Sequence, residues 1–200
     1  MYVAQRLRGF LWRAVARGGA AAQRAAQLVS AGGALGVKIL VDPHEPAKAA
    51  SIAKVGAAIA LIAERDPRRF RRFGRDVSIV ALVSGGYLGR ANGAYLPGSR
   101  TCYLRTAVVD RYSATNVAIL LVHEATHARL DHLRAVAWWP PLRYRMEHRC
   151  LLEEVAFVDR LPRGEYPSAD DWRADRLRRS RFALPGPRRE RTAARVGHAI

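Results

Sequence analysis

Two histidines four residues apart, His123 and His127, enclose Glu124 in the run His123-Glu124-Ala125-Thr126-His127. On an α-helix, side chains four apart lie on one face. Both imidazoles can therefore address one ion, while Glu124, turned about 100° from His123, flanks the same point beside a bound water. The chemistry open to such a trio is hydrolysis: a divalent cation, Zn2+ above all, activates water and the glutamate takes its proton as general base. Six histidines and eight glutamates in 200 residues lead to about 0.007 such patterns per chain by composition alone. A surface helix with incidental His and Glu is the competing explanation. The apolar run from Ala118 to Val122 directly before His123 argues against it, because it predicts a helix buried on most of its circumference.

A catalytic zinc takes three protein ligands and keeps one position for water. The metzincin continuation would need Gly at position 130 and His at position 133; Leu130 and Leu133 stand there, so that class is excluded. His132 follows His127 by five residues and points away from it round the helix. Asp131, one turn beyond His127, is placed at most for a hydrogen bond behind that ring.

Glu147 is the strongest candidate for the third ligand. After His127 the helix runs on to about Arg134, Trp138-Trp139-Pro140-Pro141 forces a turn, and a second helix starts near Leu142. At about 1.5 Å per residue, the returning chain regains the level of His127 at Glu147. Glu147, Cys150, Leu151 and Glu154 share a face of this second helix. Side chains lean towards a helix N-terminus, so Glu154 reaches back towards His123 as a hydrogen-bond acceptor, or as the ligand in place of Glu147. Cys150 reads as a packed thiol, with a fourth, inhibitory ligand as the alternative. Tyr144, Tyr103 and His148 are the available donors to a developing oxyanion, His148 being expected to face solvent.

The elements that must position these residues are legible by pattern. Asn116 to Leu133 reads as the motif helix, with Ser113 or Thr115 as its N-cap. Val77 to Ser84 and Thr101 to Val109 read as strands, with Asn92-Gly93 as a turn and Ala94 to Leu96 as a short extended piece between them. These predict a small, mostly antiparallel sheet of about three strands within an α+β fold. Pro46 to about Glu64 reads as a packed helix, followed by a basic cluster of Arg68, Arg69, Arg71, Arg72 and Arg75 read as a solvated helix end. The chain then divides into a basic amphipathic segment at 1–42, loosened by glycines towards its end, a domain at 43–168, and an Arg-rich, flexible tail at 169–200.

Two hundred residues suffice for one domain with its own core. Two cysteines, Cys102 and Cys150, make no disulfide framework. The net charge is +17, with 31 arginines against three lysines. Charge of this size draws a protein towards nucleic acid or an anionic membrane surface. The alternative to an enzyme is therefore a non-catalytic binding module that uses its basic helices. No segment of the N-terminal region is apolar and long enough to span a bilayer, which leads to an expected cytoplasmic location with peripheral contact to a membrane surface as an option.

HEATH followed twenty residues later by Glu147 resembles the gluzincin branch of the zincin metallopeptidases. HEATHARL with MEHRCLLEEVAF is similar to small bacterial proteins that carry the HEATH motif. The resemblance covers about Val77 to Pro162 and implies a zincin-like fold, Zn2+ on His123, His127 and Glu147, and Glu124 as general base. It further implies a peptide or amide substrate extended along an edge strand at Ala94, Tyr95 and Leu96. The chain differs from thermolysin-like enzymes four residues after Glu147, where they carry Asp and Leu151 stands here.

Overall fold

The computed structural model describes residues 28–43, 47–84, 88, 91–96, 98–132 and 140–162. The basic amphipathic helix expected at the N-terminus, the turn at 133–139 and the Arg-rich tail lie outside these residues. Among the described residues no helix is long and apolar enough to cross a membrane.

The fold is α+β, with five helices and a five-stranded mixed sheet among the described residues. Strands β1 (Val29–Ala34) and β2 (Val37–Val41) form an antiparallel hairpin. Its turn is Leu35-Gly36, both with positive φ, the geometry that suits a two-residue hairpin loop. Gly32, Gly33 and Gly36, whose type suggests a loosened chain, thus belong to this hairpin. Val37, Ile39 and Val41 bury alternate positions, and β1, with little strand propensity of its own, is held by pairing with β2.

Helices α1 (Ala49–Arg65) and α2 (Pro67–Asp76) carry the chain over to β3 (Ile79–Val83), which lies parallel to β2 as such a crossover requires. Beyond it come β4 (Gly93–Leu96) and β5 (Thr101–Arg105), an antiparallel pair whose second strand runs parallel to β3. The order is β1-β2-β3-β5-β4. This corrects the expected three-stranded, mostly antiparallel sheet: the hairpin at 29–41 was not anticipated, and the middle pairings are parallel.

One sheet face packs on the helices. Val80, Leu82, Cys102 and Leu104 meet Val55, Ile59, Ile62, Val117 and Leu121 in the main core. Their neighbours Ala81, Val83 and Tyr103 point the other way into a smaller cluster with Leu40, Leu88 and Leu96. After β5 the chain enters the short helix α3 (Thr106–Arg111) and then α4 (Ala114–His132), the motif helix. Ser113 caps α4, its hydroxyl accepting from the Asn116 N–H at 3.2 Å. Helix α5 (Pro140–Val158) packs against α4.

A buried ion cluster ties α5 down. Asp66 caps α2 by accepting from the Arg69 N–H at 3.0 Å, and its carboxylate also takes the Arg69 guanidinium. That guanidinium bonds Glu153 of α5 at 2.6 Å, and Arg149 and Arg160 add contacts to Glu153 and Asp66. Arg69 is therefore buried, unlike the other arginines of the cluster that the sequence reading placed at a solvated helix end. Arg69→Met should lower stability by about 3 kcal/mol, because two buried carboxylates lose a shared partner. Urea denaturation of the variant beside the wild type measures this.

Candidate metal centre

Helix α4 is buried around most of its circumference, so its three motif side chains are aimed by packing. His123 and His127, one turn apart, face α5, while Glu124, rotated from them, faces the edge strand β4. The two rings meet edge to face with centroids 4.9 Å apart. Their Nε2 atoms are 3.2 Å apart. Glu147 of α5 closes the group, one oxygen 3.5 Å from His123 Nε2 and the other 3.8 Å from His127 Nε2. Donors on a tetrahedral Zn2+ at about 2.0–2.1 Å stand about 3.3–3.4 Å apart from one another. The nitrogen–nitrogen distance and each nitrogen's distance to its own Glu147 oxygen lie within about half an ångström of that value.

Glu154 takes a different role from Glu147. Its Oε1 lies 2.5 Å from Nδ1 of His123, on the side of the ring away from His127. Nδ1–H donates to this buried carboxylate, which leaves the Nε2 lone pair of the neutral ring for an ion. Of the two carboxylates, Glu147 therefore lies on the Nε2 side of the two rings and Glu154 on the Nδ1 side of His123. The pairings His127 with Glu147 and His123 with Glu154 also make α4 and α5 antiparallel neighbours, the return path inferred from helix rise.

Glu124 is 4% exposed and lies against β4. It accepts a hydrogen bond from the backbone N–H of Tyr95. A Cβ at Gly93 would come within 2.9 Å of Glu124 Oε1, so only glycine lets the carboxylate lie this close to the strand. Gly93 was read from sequence as half of a turn; it is instead the first residue of β4, and one chain gives no signal of its contact with Glu124.

β4 is the last strand of the sheet, bonded to β5 on one side only. The Arg105 N–H donates to the Asn92 carbonyl at 3.0 Å. By strand alternation the polar groups of Ala94 and Leu96 turn inward to β5, and those of Gly93 and Tyr95 turn to the outer edge. The Tyr95 side chain packs on the main core and Leu96 on the opposite cluster.

The remaining candidates separate cleanly. Cys150 is fully buried, and its sulfur and the His123 and His127 ligand nitrogens all lie within 4.8 Å of one another. This group could hold a metal ion. Tyr103 points to the far face of the sheet and is corrected as an oxyanion donor. His148 is exposed, as expected. The side chains of Asp131 and Tyr144 lie outside the described residues.

Electrostatics bind these groups to one another. Burial lowers the pKa of His123, but bonds to Glu147 and Glu154 and the charge of Glu124 outweigh it and raise the value to about 10. Burial, reinforced by Glu147 and Glu154, pushes Glu124 up to about 7. Burial and the same carboxylates push the Cys150 thiol up. No protein-family model matches the chain, and comparisons with curated proteins and with solved structures return no match.

The His123 and Glu124 shifts act in one direction on the metal-free chain. The folded state holds protons on Glu124 and His123 that the unfolded state releases near 4.5 and 6.5. Stability contributed by His123 is complete below 6.5 and is lost as pH rises through about 10; the Glu124 contribution falls between 4.5 and about 7. Urea midpoints of the metal-free protein should therefore decline steadily from pH 5 to pH 10. Excess Zn2+ should flatten the decline, since the ion displaces the His123 proton and binds more tightly as pH rises.

Proposed function

We propose that the chain is a zinc-dependent hydrolase with a zincin-like arrangement, a metallopeptidase or amidase acting on an extended peptide or amide substrate. The convergence of His123 Nε2, His127 Nε2 and the Glu147 carboxylate carries this reading, with Glu154 behind His123 and Glu124 beside the same point. A bound Zn2+ supplies Lewis acidity, which lowers the pKa of water and polarises a carbonyl.

The chain's own residues do the rest. Glu124, with its pKa near 7, can accept a proton from water and return it to a leaving amine at neutral pH. The Tyr95 N–H and the absent side chain at Gly93 fix that carboxylate against the strand. The outer edge of β4, to which the Gly93 backbone groups turn, is where an extended substrate would lie beside Glu124. Glu154 holds His123 in the tautomer that presents Nε2.

Metal analysis of purified protein, then hydrolysis of a quenched-fluorescent peptide library, tests the proposal. Glu124→Gln should keep its zinc and lose at least ~100-fold in rate; equal rates in the two proteins would remove Glu124 from the chemistry. Gly93→Ala, which pushes on Glu124 without touching the ligands, should keep its zinc and slow hydrolysis by ~10-fold or more.

One observation favours a second reading, that of a binding module. Arg68, Arg71, Arg72 and Arg75 of α2 line an open surface groove with Arg160 and Asp66. Three of these side chains sit at helical spacings that repeat on one face, and Arg69 alone is turned inward. On this reading the chain binds nucleic acid or anionic vesicles with a steep loss of affinity as salt rises and no response to chelators. Reversing Arg68, Arg71 and Arg75 to Glu should abolish that binding; unchanged affinity would eliminate the groove as its seat.

A further inference from the structure

We propose that Cys150 is a fourth protein donor to the same ion, so that the resting centre is held by His123, His127, Glu147 and Cys150. This rests on the reading of the two histidines as metal ligands and adds to it the identity of the group filling the fourth position.

Each of two facing helices then contributes a pair of donors one turn apart. On α4 the pair is His123 and His127, at i and i+4; on α5 it is Glu147 and Cys150, at i and i+3. The sulfur of Cys150 lies within 4.8 Å of both ring nitrogens. Thiolate binds Zn2+ at about 2.3 Å and imidazole at about 2.0–2.1 Å, which puts sulfur and nitrogen about 3.6 Å apart on one tetrahedral ion. A side-chain adjustment on the order of 1 Å brings the sulfur to that distance from the two nitrogens.

The two α5 donors differ in exposure: Cys150 has no exposed surface, whereas the Glu147 side chain is 37% exposed. Cys102 supplies the contrast: it is equally buried, but it belongs to β5 and packs with Val80, Leu82 and Leu104 in the core. Thiol burial by itself therefore does not bring sulfur to the histidines; the position on α5 does.

Two consequences follow from the donor set. A thiolate with two imidazoles selects Zn2+ or Co2+ over Mg2+, Ca2+ and Mn2+. Four protein donors also leave no vacant position on a four-coordinate ion, so water reaches it only when one donor withdraws or the ion becomes five-coordinate.

X-ray absorption of the full chain loaded with Zn2+ decides the matter. The wild type should show one sulfur neighbour at about 2.3 Å beside nitrogen and oxygen at about 2.0–2.1 Å. The sulfur shell should vanish in Cys150→Ala and persist in Cys102→Ala. Should Cys150→Ala fail to fold, the wild-type spectrum and that of Cys102→Ala suffice, because the chain has two thiols. Bound zinc with nitrogen and oxygen neighbours alone would overturn the proposal and leave the histidine and glutamate ligands standing. Loss of the sulfur shell in Cys102→Ala would also overturn it, and a wild type that takes up no zinc would remove the metal reading itself.

Discussion

The hydrogen bond from His123 Nδ1 to Glu154 Oε1, 2.5 Å long, joins the motif helix to the helix that answers it. It does three things at once. It sets the ring's orientation, it places Nδ1–H on the carboxylate so that Nε2 is the nitrogen turned to His127 and Glu147, and it fixes the register of α5 against α4. That register is what carries Glu147 to the two Nε2 atoms. A shift of α5 by one residue would rotate its acidic face by about 100° and take Glu147, Cys150 and Glu154 away from the histidines together. The Arg69 ion cluster, reaching Glu153 next to Glu154, holds the same helix from its other side.

A chain with net charge +17 nevertheless gathers Glu124, Glu147 and Glu154 around two imidazoles. Two of these carboxylates are almost wholly buried. Charges of one sign so close in a poorly hydrated place repel, and the protein meets the repulsion by retaining protons on His123 and Glu124. A dication answers the same imbalance with one particle in place of the His123 proton. The electrostatics and the donor geometry would both suit a divalent ion at this group.

The site was far more legible in the sequence than the sheet. Spacing of three and four residues is a local property, so the common face of His123 and His127, and of Glu147, Cys150 and Glu154, follows from the helix alone. Glu147 needed one nonlocal step, the length of the outward and returning helices, and helix rise is constant enough to support it. Choosing between Glu147 and Glu154 was beyond the sequence, because one turn along α5 separates an oxygen at Nε2 from one at Nδ1. In the sheet the signal was weak where pairing, and not side-chain pattern, makes the strand. β1 contains Gly32, Gly33 and three small residues, and its extended form depends on β2. The parallel middle pairings depend on where α1 and α2 return the chain, which no local pattern encodes.

Gly93 shows how fold and chemistry meet in this molecule. A general base inside a protein must be dry enough to be basic at neutral pH and yet stay beside the water it serves. Helix α4 satisfies the first condition by burial, at the risk of letting Glu124 turn to whatever donor is nearest. The edge strand satisfies the second: Gly93 opens room for the carboxylate and the outward Tyr95 N–H holds one oxygen. These outward groups lie on the side of β4 that joins no other strand of the described sheet, since β5 occupies the other side. A chain that added itself to that edge would be brought alongside Glu124 by backbone geometry, so under the proposed hydrolase reading selectivity among substrates would come from contacts flanking the strand.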